Sequence, residues 1–132
     1  MSRKSYLFDT HALIFWHNAQ AVSEAFLHYF DKEERSGTLC VSSVSFWEIA
    51  LLVKKGKLAL PNVHIWKNEL LSNSAIRIID PTASDMIDST LLPDHHSDPF
   101  DRLLIAQCRR WDYTFVTCDQ HIRSYEVEQF WL

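Results

Sequence analysis

Four acidic residues stand where the sequence changes from an apolar run to a helix-like pattern: Asp9, Glu48, Asp101 and Asp119. Tyr6-Leu7-Phe8 is long enough for a short buried strand, and Leu13, Ile14 and Trp16 after Asp9 suit a buried helix. In open α/β sheets ligands bind outside the carboxyl ends of the strands, which places Asp9 where chemistry is usually done. The run Thr38-Leu39-Cys40-Val41 leads to Glu48, and Tyr113-Thr114-Phe115-Val116-Thr117-Cys118 leads to Asp119. Asp101 lies in the first turn of a helix whose Leu104, Ile105 and Cys108 point inward. A carboxylate on such a core-facing edge is costly unless it is paired or ligates a metal.

Read as strand-to-helix junctions of a parallel α/β/α sheet, the four acids fall on one edge and can converge. Four carboxylates in one cleft repel each other and call for cations. An all-oxygen set suits hard ions, so Mg2+ or Mn2+ is expected rather than zinc. Such ions can polarise a phosphodiester, generate hydroxide from water and stabilise a leaving oxygen. Each acid also has a purely local reading. Glu48 follows Ser45 at capping-box spacing, Asp9 and Asp119 are competent helix caps, and Asp101 suits a helix dipole. His95 and His96, near Asp94 and Asp98, invite a zinc reading, but adjacent histidines rarely reach one ion from one loop. They are expected to flank the site.

The elements that must position these residues follow from periodicity and capping. Helices are expected over residues 23–34, from Ser43 to Lys54, from Pro61 to Leu71, and from Pro81 to Leu92. Thr82 and Asp85 have capping-box spacing, and Asp98 with Pro99 makes a strong helix start. Strands are expected at residues 4–8, 38–41, 75–79, 113–118 and 127–131, with a short helix over 120–125. Alternation of strand and helix predicts a three-layer α/β/α sandwich with a mainly parallel central sheet.

Composition narrows the chemistry. The 132 residues, 47% hydrophobic and 23% charged, fit one globular domain over residues 1–132. Only Gly37 and Gly56 occur, outside any phosphate-gripping glycine motif, so phosphate would have to be held by metals or side chains. The net charge of −4 offers no general polyanion-binding surface, and Lys54, Lys55 and Lys57 read first as a helix end complementing its dipole. Cys40, Cys108 and Cys118 lack C-x-x-C spacing and read as buried, reduced thiols. No leader and no span-length apolar run is read, so a cytoplasmic protein is expected.

Phe8-Asp9-Thr10-His11, Trp47-Glu48-Ile49, Asp98-Pro99-Phe100-Asp101-Arg102 with Leu-Leu-Ile-Ala-Gln after it, and Val116-Thr117-Cys118-Asp119 resemble PIN domains. More narrowly, they resemble VapC-like ribonuclease toxins of bacterial type II toxin–antitoxin systems. The resemblance spans nearly the whole chain in order. It implies magnesium-dependent endonucleolytic cleavage of RNA, with Asp9, Glu48, Asp101 and Asp119 as the catalytic, metal-binding quartet and Asp98 as an outer ligand. Asp9 and Asp101 would bind the principal ion, Glu48 and Asp119 would complete its shell or hold a second ion, and Thr10 and Thr117 would orient water. A homodimer and an inhibitory antitoxin partner are implied too, and five tryptophans give apolar surface for the former. Two other classes compete. An aspartyl phosphatase would need a second Asp where His11 stands, and a receiver-like regulatory module would need a late lysine, whereas none follows Lys67.

Overall fold

A computed structural model describes residues 4–132. Five strands, β1 (Tyr6–Phe8), β2 (Leu39–Ser42), β3 (Arg77–Ile79), β4 (Thr114–Val116) and β5 (Gln129–Phe130), form one sheet in the order β3-β2-β1-β4-β5. Every pairing is parallel. Six helices accompany them: α1 (Thr10–Asn18), α2 (Glu24–Arg35), α3 (Ser43–Lys54), α4 (Val63–Asn73), α5 (Ala83–Leu91) and α6 (Pro99–Trp111).

The central strand explains the layering. Tyr6 and Phe8 of β1 project into one apolar layer with Leu13 of α1, Phe26 and Phe30 of α2, Ile49 of α3 and Leu70 of α4. Leu7 projects into the other layer with Cys40, Phe115, and Leu104, Ile105 and Cys108 of α6. Successive strand side chains point to opposite faces, so a strand buried on both sides must be apolar throughout. The expected three-layer α/β/α sandwich is what forms. In the first layer Phe30 meets Tyr6, Phe8, Phe26, Tyr29 and Phe130 at ring-centroid distances of 4.7–5.6 Å.

The chain leaves β1 for β2 on one side and later returns to place β4 on the other. The ends of β1 and β4 therefore flank the point where strand order reverses, the usual ligand crevice of an open α/β sheet. Asp9 continues this seam, its backbone N–H donating to Val116 O at 3.0 Å.

Several boundaries differ from expectation. The helix foreseen over 120–125 is a 3-10 turn, Gln120–Ile122, and the last strand has only two residues. The strand foreseen over 75–79 pairs only from Arg77 onward, as an edge strand with an exposed face. Cys40 and Cys108 are buried free thiols, but Cys118, two residues past the end of β4, is exposed. Trp66 is buried, whereas Trp47 and Trp111 lie on the surface.

Candidate active site

Asp9 is the first residue past β1 and the N-cap of α1, its Oδ1 accepting from Ala12 N at 2.7 Å. This cap fixes the carboxyl group at the sheet edge while leaving the residue 93% buried. Burial pushes its pKa up, and hydrogen bonds from Thr117 and the Ala12 amide draw it partly back.

Glu48 is the sixth residue of α3, and that position decides between its two readings. The helix is capped by Ser42, whose hydroxyl accepts from Val44 N at 3.3 Å, so the capping-box reading at Ser45 fails. Ser45 instead is buried and accepts a hydrogen bond from the Thr10 hydroxyl at 2.9 Å, joining α1 to α3. Glu48 is itself buried, and its Oε1 has no hydrogen-bond partner. Burial raises its pKa first; the Thr10 hydroxyl opposes that rise, while Asp98 and Asp9 add to it. An unpartnered carboxylate oxygen in such a place is costly and calls for a cation or a proton.

Asp101 is the third residue of α6. The helix start is as foreseen, with Asp98 capping Phe100 N at 2.8 Å and Asp101 N at 3.2 Å behind Pro99. One expectation is corrected here. Asp101 does not lie on a strand-to-helix junction, because α6 follows α5 through the loop of residues 92–98. It reaches the sheet edge because α6 packs against both α3 and β4. Trp47 and Phe100, neighbours of Glu48 and Asp101, meet edge-to-face with centroids 5.1 Å apart. Burial, then Asp98, pushes the Asp101 carboxyl up to about 7, with Asp9 and Glu48 contributing and a hydrogen bond from His96 opposing.

Asp119 caps the 3-10 turn, accepting from His121 N at 2.9 Å and lying 3.0 Å from His121 Nδ1. Some desolvation raises its pKa, but these two hydrogen bonds and the nearby His96 outweigh it and bring the carboxyl below its ordinary value. Asp119 is thus the acid that stays ionised most readily. Asp119 acts electrostatically on Asp9, and Asp9 and Glu48 act on Asp101. Among the described residues, however, the side chains whose ligand atoms lie within 4.8 Å of one another are His96, Asp98 and Asp101, so of the four foreseen acids only Asp101 belongs to that tight group.

His96 belongs to this group more closely than a flanking position implies. Its Nε2 is 2.9 Å from Asp101 Oδ2 and 3.7 Å from Asp119 Oδ2. His95 turns away and packs on Tyr125, with centroids 5.1 Å apart. Arg102 organises the loop, donating to Leu92 O at 2.8 Å, Pro93 O at 3.0 Å, His96 O at 3.1 Å and Tyr125 Oη at 3.2 Å. An arginine one residue after Asp101, facing a loop rich in carbonyls, was the available signal for this clamp.

The donor set fits hard divalent cations: several carboxylates at one sheet edge, three with raised pKa, and one buried oxygen lacking a donor. The model of the PIN domain family matches residues 6–128, nearly the whole chain. The chain belongs to the PIN domain family. No curated protein matches its sequence significantly. Among solved structures, this PIN domain is similar to a chain of DNA-bound VapBC from Salmonella typhimurium, with 13% identity, a TM-score of 0.70, and coverage of 97% of this chain and 98% of that one. A chain of VapBC2 from Rickettsia felis, bound to a DNA fragment from their promoter, gives 15%, 0.70, 96% and 98%. A chain of FitAcB from Neisseria gonorrhoeae gives 15%, 0.58, 95% and 96%. At such identities the likeness establishes the fold, and the chemistry rests on this chain's own residues.

Proposed function

We propose that this PIN domain, taken as one domain over residues 1–132, is a magnesium-dependent endoribonuclease. In this reading it is the toxin component of a type II toxin–antitoxin system. The observation that carries the chemistry is the buried, unpartnered Glu48 Oε1 among acids that act on one another electrostatically, which supports Asp9, Glu48, Asp101 and Asp119 as one site. These four would hold Mg2+, with Mn2+ as an alternative ion. When bound, the cation supplies positive charge that offsets the carboxylates, polarises a phosphodiester and makes water more acidic.

The chain's own residues supply the order. The Ala12 amide fixes Asp9, and the His121 amide fixes Asp119 on the other side of the switch point. Asp119 has the lowered pKa, while burial raises those of Asp9, Glu48 and Asp101, so a bound cation would favour their charged forms. The Thr10 hydroxyl braces α1 on α3 through Ser45, and Thr117 Oγ1 accepts from Asp119 N at 3.1 Å, orienting the carboxylates across the seam. A cleft of about 870 Å³, with His95, His96, Arg102 and His121 in its lining, opens beside the acids, which it reaches through His96.

The solved neighbours are described as VapBC and FitAcB complexes, two of them with DNA, which supports an antitoxin partner for this chain. A homodimer in the cytoplasm completes the reading. Among the described residues no helix is long and apolar enough to cross a membrane.

The test is cleavage of a mixed RNA substrate by the parent, Asp9→Ala and Asp101→Ala, with Mg2+ and with chelator. The expected result is cleavage by the parent with Mg2+ alone and at least a hundredfold loss in each variant. A parent-like rate in either variant, or release of phosphate from a generic phosphomonoester without RNA cleavage, refutes the proposal.

A further inference from the structure

We propose that His96 is a nitrogen ligand beside Asp98 and Asp101, giving this site a mixed nitrogen–oxygen subsite for a first-row transition cation such as Co2+ or Zn2+. The inference rests on the acidic metal site proposed above and adds a donor of a different kind to it.

Three observations converge. One ligand atom each from His96, Asp98 and Asp101 can be chosen so that all lie within 4.8 Å of one another, the spacing of donors around a single ion. Asp98 commits its Oδ1 to the α6 amides, and its second oxygen is free of any such duty. Next to them, Glu48 Oε1 is buried without a partner, on the helix that packs against α6. Asp98 is the foremost acidic neighbour acting on the Glu48 carboxyl, so the orphan oxygen lies beside the cluster, outside the 4.8 Å group itself.

The third observation concerns how His96 is held. Its backbone N–H donates to Tyr125 Oη at 2.9 Å, and its carbonyl accepts from Arg102 at 3.1 Å. Its ring stacks on His121 at 5.2 Å with planes 14° apart. Backbone and ring are thus fixed from three sides, with Nε2 directed at the acids. A surface histidine making one fortuitous contact would not be braced in this way.

The chemical consequence is selectivity. Mg2+ and, less strictly, Mn2+ prefer oxygen ligands and gain little from an imidazole, whereas Co2+ and Zn2+ accept nitrogen readily. Removing His96 should therefore weaken transition cations more than it weakens Mg2+, which loses only the support His96 gives to Asp101.

The experiment is calorimetric titration of the full chain, without RNA, with CoCl2, MnCl2 and MgCl2. The proteins compared are the parent, His96→Gln and His95→Gln, with the visible ligand-field bands of bound Co2+ recorded alongside. Expected are a Co2+ affinity at least tenfold weaker in His96→Gln, a shift of its ligand-field bands, and a clearly smaller loss of Mg2+ affinity. An equal loss for both ions overturns the nitrogen ligand. His95→Gln should match the parent. If His96→Gln unfolds, His96→Asp replaces it and is expected to keep Mg2+ binding while losing the preference for Co2+. Unchanged Co2+ affinity and spectrum on loss of His96 overturn the nitrogen ligand alone. A parent that binds none of the three ions overturns both this inference and the metal site beneath it.

Discussion

Replacing Asp101 with Asn should stabilise the metal-free protein, and the gain should depend on pH. The Asp101 carboxyl is held up to about 7 by burial and by Asp98, against an ordinary value of 3.8. With the folded-state value above the unfolded one, the folded protein keeps a proton that the unfolded chain has already released between about pH 4 and 7. This contribution is therefore whole below about pH 4, declines as pH rises to about 7, and is lost above it. At 1.36 kcal/mol per pKa unit the full cost is at most about 4 kcal/mol, and sharing of the repulsion among neighbouring acids brings the expected gain to about 2–4 kcal/mol. Asn keeps the shape of the side chain and an oxygen toward His96 Nε2, so little else changes. Thermal denaturation in EDTA at pH 8 should show Asp101→Asn melting about 6–12 °C above the parent, and the difference should nearly vanish at pH 4. Excess Mg2+ should reverse the order, because the parent gains binding free energy that the variant has lost. A variant less stable than the parent at pH 8 in EDTA, or an equal difference at both pH values, would refute the account of repelling carboxylates.

Three further outcomes follow from the same geometry. Glu48→Gln removes a buried charge whose Oε1 lacks a donor, so the metal-free melting temperature should rise at pH 8 while calorimetric Mg2+ affinity falls at least tenfold. Phe30 is fully buried at the centre of the aromatic layer, and Phe30→Ala should cost about 3–5 kcal/mol in urea denaturation. Arg102→Met strands the carbonyls of Leu92, Pro93 and His96; a loss of about 2–4 kcal/mol and faster proteolytic cutting between residues 92 and 98 are expected.

Much of this was legible in the chain because it depends on neighbours in sequence. The Asp98-Pro99-Phe100-Asp101 start of α6 and the Thr82–Asp85 capping box are contacts within a few residues, and both form as their spacing requires. The doubly buried strand β1 was readable as an unbroken apolar run. Glu48 was not decidable in this way. Ser45 and Glu48 have the spacing of a cap, and only the actual start of α3 at Ser43, with Ser42 as its cap, removes that option. Likewise, no local pattern could distinguish His96 from His95, because the distinction lies in Arg102 and Tyr125 pulling one loop into a fixed course.

By itself the sequence determined the elements, their polarity and the residue types available for chemistry, since helix caps, strand alternation and buried apolar faces are short-range consequences of side-chain type. Tertiary structure alone decided which side chains meet. Asp9 and Asp119 come within electrostatic reach of each other because β1 and β4 pair side by side, although they are far apart in the chain. Asp101 joins them from a helix that follows another helix, carried there by packing of α6 on α3 and β4. Electrostatic repulsion and desolvation act through space over a few ångströms, so the raised acids of this site exist only once the sheet has closed around them.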